Sequence, residues 1–500
     1  MAPTVEKLNI ALVGCGRIAD LHAAGLLDNP RARIHAVCDT RADTLARRKA
    51  QWGVEKCYRD YAELLADPAV DAVEILTPQK LHEPMLAAAA AAGKPVAMQK
   101  PISTDLASTD RMLAAVAASG IRFKVTENYV FYPPIVLARK LIADGAIGAP
   151  VTLRIQYVSG PTGGWEVPAS AWEWRVKEAS EGRGFATFDH GHHLWSTAWY
   201  LLGDVERVWG AVDSWDGVVD CPAVFAFKYA SGKTYGSVSF VHCQNLRVPS
   251  SYYSNDEWIE VHGTRGILSI RRCTGNINDG PALVVFDGTK HTPHDVASDW
   301  KLGFVGATNN FVAMLRGEEE PLLSGAQARG ILRFALALQE AHRTRRHVYP
   351  EELDRSFPRL YAWRRQRREL VESGVSPGLL ERLGIGQNLS ALAPQAVELT
   401  RQMVQGFTPP ADPIPDTRIG LTLTGDLAEV RLGLIVENNA ARLLEGDVPP
   451  DATLTVTMSH ATWAAILLKR KRVETALLQG KIRFQGRAEE ALKLKAAFRM

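Results

Sequence analysis

The run Leu8 to Val13 is apolar and rich in strand formers, and Gly14-Cys15-Gly16-Arg17-Ile18-Ala19 follows it at once, leading into helical spacing at Ile18, Leu21 and His22. Strand, glycine turn and helix in that order constrain this chain more than any of its other features. Gly14 permits the tight turn, Gly16 lets a pyrophosphate approach the backbone, and small Ala19 allows close helix-to-strand packing. The pyrophosphate would rest on the helix N-terminus, where unpaired N–H groups and the dipole favour an anion. A second strand, Arg33 to Cys38, ends at Asp39, about 20 residues after the motif, where the ribose-binding acid belongs. A carboxylate there accepts hydrogen bonds from an adenosine ribose and repels a 2′-phosphate, so NAD is expected. NADP is the alternative, because Arg41 stands close enough to meet the phosphate.

The alternation continues beyond Asp39. Helices are expected at Thr44 to Trp52, Tyr61 to Ala66, Leu81 to Ala92 and Ser108 to Ser119, and strands at Ala72 to Leu76, Pro95 to Met98 and Arg122 to Thr126. Strands separated by helices of this length make a parallel sheet covered on both faces. Ligands of such sheets lie at the carboxyl ends of the strands, here Gly14, Asp39, Thr77-Pro78, Gln99-Lys100 and Glu127-Asn128.

Composition removes other classes of function. Lys and Arg number 58 against 55 Asp and Glu, a net charge of +3, so no global field recommends nucleic acid or an anionic membrane as partner. The longest wholly apolar stretch, Met85 to Ala92, falls far short of the roughly 20 residues that cross a bilayer. Met1 to Lys7 carries both charge signs and shows no secretion signal, and the six cysteines form no CxxC pair. Reduced thiols and a cytoplasmic location are expected.

These residues resemble the glucose-fructose oxidoreductase and inositol dehydrogenase (Gfo/Idh/MocA) family. The resemblance lies in Gly14 to Ala19, Thr77-Pro78 with His82, Gly93-Lys94-Pro95-Val96-Ala97-Met98-Gln99-Lys100-Pro101, Glu127-Asn128-Tyr129 and Asp189-His190-Gly191-His192-His193, and it spans residues 7 to 350. It implies an N-terminal Rossmann domain, then an α/β domain with an open, mostly antiparallel sheet that often mediates oligomerisation. It also implies NAD(P)-dependent oxidation or reduction of a sugar-like hydroxyl or carbonyl, with cofactor contacts at Gly14, Gly16, Arg17, Ile18, Asp39, Thr77, Pro78, His82, Gln99 and Asn128. Lys100 would be catalytic, its ammonium stabilising alkoxide charge and helping to move the proton. The commonest family pattern has Glu before this lysine, whereas this chain has Gln99, which takes a carboxylate neighbour away from the cation.

The resemblance carries catalysis also to Asp189 and His193. They stand four residues apart ahead of the helical pattern Leu194, Ala198, Leu201 and Leu202, so they share a helix face. Histidine is the family's usual acceptor of the hydroxyl proton, with the aspartate orienting. Substrate contacts are expected at Tyr129, Trp174, Arg175 and His192. His190, His192 and His193 beside Asp189 also spell metal ligands, but adjacent histidines diverge on a helix. No metal is expected, and His190 and His192 are read as structural.

Val151 to Val158, Ala223 to Tyr229, Thr234 to Val241, Trp258 to His262, Gly266 to Ile270 and Leu283 to Phe286 read as strands of a mostly antiparallel sheet. Between them Gly160 to Gly184, holding Trp165, Trp172, Trp174 and Arg175, reads as a long loop of the kind that makes a lid, with Gly182-Arg183-Gly184 an imperfect match to the family's glycine-rich stretch. Gln327 to His342 reads as an amphipathic helix. The tail, with strands at Arg418 to Leu423, Ala428 to Val436, Thr453 to Met458 and Lys481 to Phe484 and helices at Ala461 to Lys469, Val473 to Leu478 and from Arg487, resembles the sterol-carrier-protein fold through Asp451 to Thr457 and Ala476 to Gly486. That resemblance implies an apolar tunnel for a lipid or alkyl chain, with scaffolding as the alternative role.

The chain is therefore expected to be α/β throughout: a Rossmann domain over 1–127, a substrate and oligomerisation domain over 128–350, a helical linker over 351–392 and a sterol-carrier-like domain over 393–500. The expected activity is hydride transfer between NAD and a sugar-like or glycoside hydroxyl or carbonyl, on a small molecule that carries an apolar group if the tail holds part of it. A redox-neutral lyase or glycosidase using tightly bound NAD is the alternative. A homo-oligomer, dimer or tetramer, is expected.

Overall fold

The computed structural model describes all residues except 1–5, 168, 181–183, 357, 373–388, 408, 410–415, 426 and 487–500. Gly182 and Arg183, most of the Pro-rich run Thr408 to Pro415, part of the 351–392 linker and the helix from Arg487 lie outside the described residues.

Strands β1 (Leu8–Val13), β2 (Ala32–Cys38), β3 (Lys56–Tyr58), β4 (Ala72–Ile75), β5 (Val96–Gln99) and β6 (Phe123–Thr126) form a sheet in the order β3-β2-β1-β4-β5-β6. Every neighbouring pair in it is parallel. The reason is legible in burial: Ile10 to Val13 and the whole of β4 and β6 are buried without alternation, as strands covered on both faces must be. The order reverses between β1 and β4, and the carboxyl ends of those two strands open a crevice. β3, three residues long, is too short to leave a pattern in the sequence and is an addition to the expected strands.

A second sheet is built from β7 (Pro150–Ser159), β8 (Val205–Val212), β9 (Ala223–Tyr229), β10 (Tyr235–His242), β11 (Asn255–Gly263), β12 (Ile267–Ile270), β13 (Leu283–Phe286) and β14 (His291–His294), in the order β14-β13-β12-β11-β7-β10-β9-β8. Only β7 and β10 run parallel. Here burial alternates residue by residue, because one face alone is covered. Helices Gly191–Leu202 and Gly325–Thr344 cover it, with Trp195 against Phe225 and Phe334, ring centroids 5.5 Å apart in each case. β8 and β14 are further additions, the first interrupted by charge and the second (HTPH) without an aliphatic residue. The Gly160 to Gly184 segment is not all loop: it holds helix Ala169–Ser180.

Helix Lys301–Leu315, which the sequence pattern does not announce, returns to the first sheet and lies on helix Ala19–Leu27. The approach is so close that a Cβ on Gly25 would stand 2.5 Å from Thr308 Oγ1. Met1–Ala362 accordingly form one compact unit, and Trp363–Met500 form another. In the second unit β15 (Thr417–Thr424), β16 (Val430–Glu437), β17 (Ala440–Glu445), β18 (Leu454–Ser459) and β19 (Ile482–Gly486) are ordered β17-β16-β15-β18-β19. Helices Ala396–Gln405 and His460–Leu467 complete a core of Ile419, Leu421, Leu434, Val456 and Trp463. No described helix is long and apolar enough to cross a membrane.

Candidate active site

A cavity of about 580 Å³ opens at the carboxyl ends of β1 and β4, and Gly14, Gly16, Arg17, Ile18, Asp39, Thr77 and Pro78 line one side of it. Gly14 has φ +87°, and a Cβ there would lie 3.0 Å from the Leu76 carbonyl carbon, so only glycine closes this turn against β4. A Cβ on Gly16 would meet nothing within 4 Å. The backbone ahead of helix Ala19–Leu27 is thus open to an anion. Buried Arg48 braces the turn from behind, donating from Nε to the Cys15 carbonyl at 3.0 Å and from Nη2 to the Gly16 carbonyl at 2.5 Å, and pairing with Asp20. Asp39 accepts from the Cys15 N–H at 2.8 Å and the Arg41 N–H at 2.9 Å. The Arg41 guanidinium is turned to Asp43, 2.6 Å away. An open anion seat next to a fixed carboxylate fits the pyrophosphate and ribose of a dinucleotide.

The facing side is made by Gln99, Lys100, Trp174, Arg175, Asp189 and His193. Lys100 Nζ donates to the Asp189 carbonyl at 2.7 Å and to its Oδ1 at 3.1 Å, and Arg175 Nε donates to Oδ2 at 3.2 Å. Burial acts to raise the Asp189 carboxyl, but Lys100 and Arg175 outweigh it and hold the group well below the usual carboxylate range. Asp189 sits in a wide π turn, Phe185–His190, that runs into helix Gly191–Leu202, and both it and His193 reach the cavity. His193 is not set by Asp189, however. Its Nδ1 lies 2.6 Å from Oε1 of Glu127, a carboxylate with no solvent exposure at the end of β6. Burial, Lys100 and His190 push the His193 imidazole well below its ordinary value, and burial raises Glu127. Gln99 uses both ends of its amide: Oε1 accepts from the Lys100 N–H at 2.7 Å, and Nε2 lies 2.8 Å from His22, whose Nδ1 is 2.7 Å from Glu74.

Four expected contacts do not line the cavity, and the side chain of each is buried elsewhere. His82 is fully buried, its ring nitrogens 2.9 Å from the Thr77 carbonyl and 3.1 Å from that of Ile102, so it shapes the Thr77 loop from beneath. Asn128 is buried, with its carbonyl pressed toward Gly303. Tyr129 donates its hydroxyl to Glu257 at 2.9 Å and stacks on His193, centroids 4.5 Å apart. His192 turns its Nδ1 to the Phe188 carbonyl, 2.9 Å away. His190, read from sequence as structural, does line the cavity. Trp172 joins Trp174 in the wall, while Trp165 packs on Tyr252 and Tyr253 beneath the Arg17 guanidinium. Glu127 stands in a recognisable motif that does not disclose its role; Glu257, one of three acidic residues on β11, gives no signal in the sequence. Among the described residues no group of three His, Cys, Asp or Glu is placed to hold a metal ion.

A nucleotide seat facing a half-buried lysine and a carboxylate-backed imidazole belongs to the class of nicotinamide-dependent oxidoreductases. Residues 8–127 match the oxidoreductase family with an NAD-binding Rossmann fold, 135–269 match the GFO/IDH/MocA C-terminal domain, and 412–499 match the SCP-2 sterol transfer family. Over residues 8–269 the chain belongs to the GFO/IDH/MocA family of oxidoreductases. It is 28% identical over 357 residues to the myo-inositol 2-dehydrogenase of Thermotoga maritima, covering 69% of this chain and 99% of that one. It is 29% identical over 269 residues to a D-apiose dehydrogenase of Paraburkholderia graminis, covering 53% of this chain and 68% of that one. The fold matches that of scyllo-inositol dehydrogenase from Lactobacillus casei, solved with NAD(H) and scyllo-inositol, at a TM-score of 0.56 and 19% identity over 69% of this chain and 100% of that one.

Proposed function

We propose that the chain transfers a hydride between NAD and a ring hydroxyl or carbonyl of a sugar-like or cyclic polyol. The observation that carries this reading is the convergence of Lys100, Asp189 and His193 on the same cavity as the glycine turn and Asp39. Bound there, NAD supplies the hydride acceptor and its reduced form the donor. Lys100, held by Asp189, meets the reacting oxygen and stabilises the charge that develops on it. His193 takes the hydroxyl proton at Nε2, because the hydrogen bond to Glu127 keeps the other proton at Nδ1. Arg175 and the indoles of Trp172 and Trp174 face the polyol, donating to its oxygens and shedding water from the ring. Asp39 favours NAD over NADP, and the pairing of Arg41 with Asp43 supports that preference.

On this reading the enzyme is a cytoplasmic homo-oligomer, and the 393–500 domain either grips an apolar part of a ligand or holds the assembly together. The deciding experiment follows NADH and NADPH formation by the purified full chain with myo-inositol, scyllo-inositol, D-apiose and levoglucosan, compounds named for relatives of this chain. NADH from at least one of them is expected. No reduced nucleotide from any of the four would sink the reading.

A further inference from the structure

The cavity holds a second imidazole for which the reaction above has no use. His190 lines it, and its Nε2 lies 2.7 Å from Oε1 of Glu257, a carboxylate with no solvent exposure. Glu257 also accepts from Asn255 Nδ2 at 2.7 Å, from the Tyr129 hydroxyl at 2.9 Å, and from the Thr274 hydroxyl and N–H at 3.1 and 3.2 Å. Burial works to raise this carboxyl, but His190, Tyr129 and Thr274 outweigh it and keep the group lowered. With four other donors turned to Glu257, the carboxylate meets His190 at Nε2, and Nδ1 has no hydrogen-bond partner among the described residues. His193 is the mirror case, bonded at Nδ1 and open at Nε2. The two rings stand 5.1 Å apart, and Tyr129 joins both pairs by stacking on His193 and donating to Glu257.

Oxidising a hydroxyl requires one proton acceptor, and of the three imidazoles that line this cavity two, His190 and His193, are each backed by a buried carboxylate, while His242 is turned to the Ser159 hydroxyl. A carbonyl in the ring acidifies the C–H of the neighbouring carbon, and a base beside the first is where such a proton would be taken. We propose that His190, set by Glu257, is a second proton-transfer residue that removes and returns the proton on the carbon next to the carbonyl of a bound ketone, giving the site an enolisation activity. The C–H bond breaks, its proton passes to His190 Nδ1, and its electron pair forms the C=C bond. The carbonyl π pair moves onto oxygen, where the Lys100 ammonium balances the charge. Reversal with a proton exchanged from solvent restores the ketone, so no oxidant or reductant is consumed. The proposal rests on the oxidoreductase reading, in which Lys100 meets the reacting oxygen and the ketone is the enzyme's own product.

The experiment uses the full chain and whichever of the four polyols yields NADH; NADH from none of them overturns the oxidoreductase reading and this proposal with it. The ketone made from that polyol is incubated with enzyme and NAD in deuterated water, and mass spectrometry counts the deuterium gained. Wild-type protein should exchange the proton beside the carbonyl at least about a hundred-fold faster than buffer alone. In His190→Asn the ratio of exchange rate to NADH-forming rate should fall at least about a hundred-fold, whereas His193→Asn should slow NADH formation itself. His190→Gln, which can still donate to Glu257, replaces His190→Asn if circular dichroism shows the latter misfolded. NADH formation without exchange above buffer, or a folded His190 variant that keeps the wild-type ratio, overturns the proposal and leaves the oxidoreductase reading standing.

Discussion

The two sides of the cavity are made in opposite ways. The nucleotide side is largely backbone: a glycine turn from consecutive residues, with a single carboxylate from the end of the next strand and Arg48 as a brace. The side proposed for proton transfer is made of side chains brought from positions 100, 127, 175, 189 and 193, of which Glu127 and His193 are buried and the other three half-buried. Local geometry suffices for the first because an anion needs only unpaired N–H groups and room to approach. The second needs charges partly shielded from water, and these are held where each finds a partner, as Lys100, Asp189 and Arg175 do. Damage to the two sides should therefore appear in different measurements: turnover on one side, nucleotide affinity on the other.

The strongest test of this division is Lys100→Ala, which should lower kcat by about 10²- to 10⁴-fold while NAD affinity, read by fluorescence titration, stays within a few-fold. A matching collapse of NAD affinity would erase the distinction between the sides. Glu127→Gln should cost less, about 10²-fold in kcat with KM little changed, because the imidazole stays in place but its positive form loses the carboxylate behind it. The pH profile sharpens the same point. His193 must be neutral to accept a proton, and burial together with Lys100 and His190 lowers its pKa, so the acid limb of kcat/KM for oxidation should fall below the ordinary imidazole value of 6.5. A limb above 6.5 would assign the proton to another group.

On the nucleotide side, Gly14→Ala forces a side chain into φ +87° with its Cβ 3.0 Å from Leu76 and Thr77. At about 1 to 3 kcal/mol for such strain, NAD affinity should weaken by roughly ten- to a hundred-fold with kcat at saturating NAD nearly intact. The smallest effect is expected from Asp39→Ser: a loss of about ten-fold in the preference for NAD over NADP, since one charged contact to the ribose is removed. Equal affinities already in the wild type would show that Arg41 outweighs Asp39.

The same contrast governs what the amino-acid sequence discloses. β1, Gly14, Gly16 and Asp39 lie within 32 residues of one another, and their spacing alone announces the parallel sheet and its crevice. The second sheet is legible where burial alternates, as in β9 and β13, and illegible in β8 and β14, whose charged and polar residues obey no period. In the tail β18 alternates throughout, whereas β17 has no buried residue along its length and goes unannounced in the sequence. Site residues obey the same rule. Lys100, Asp189 and His193 stand in recognisable motifs, and the fold brings all three to one cavity. His82, Asn128, Tyr129 and His192 stand in the same motifs but face into the wall, because a motif records which residues are near a site and not which way each side chain turns.

By itself the sequence determined the nucleotide seat, the α/β alternation and the identities of the charged residues near the chemistry, since these depend on short-range spacing and periodicity. Only the tertiary structure decided the pairings: Glu127 rather than Asp189 behind His193, Asp189 with Lys100 and Arg175, and Glu257 behind His190. Those contacts join residues 14 to 89 positions apart in the chain. Which carboxylate meets which cation at such separations is set by strand order and helix packing, because a buried charge is stable only beside the partner that the completed fold delivers to it.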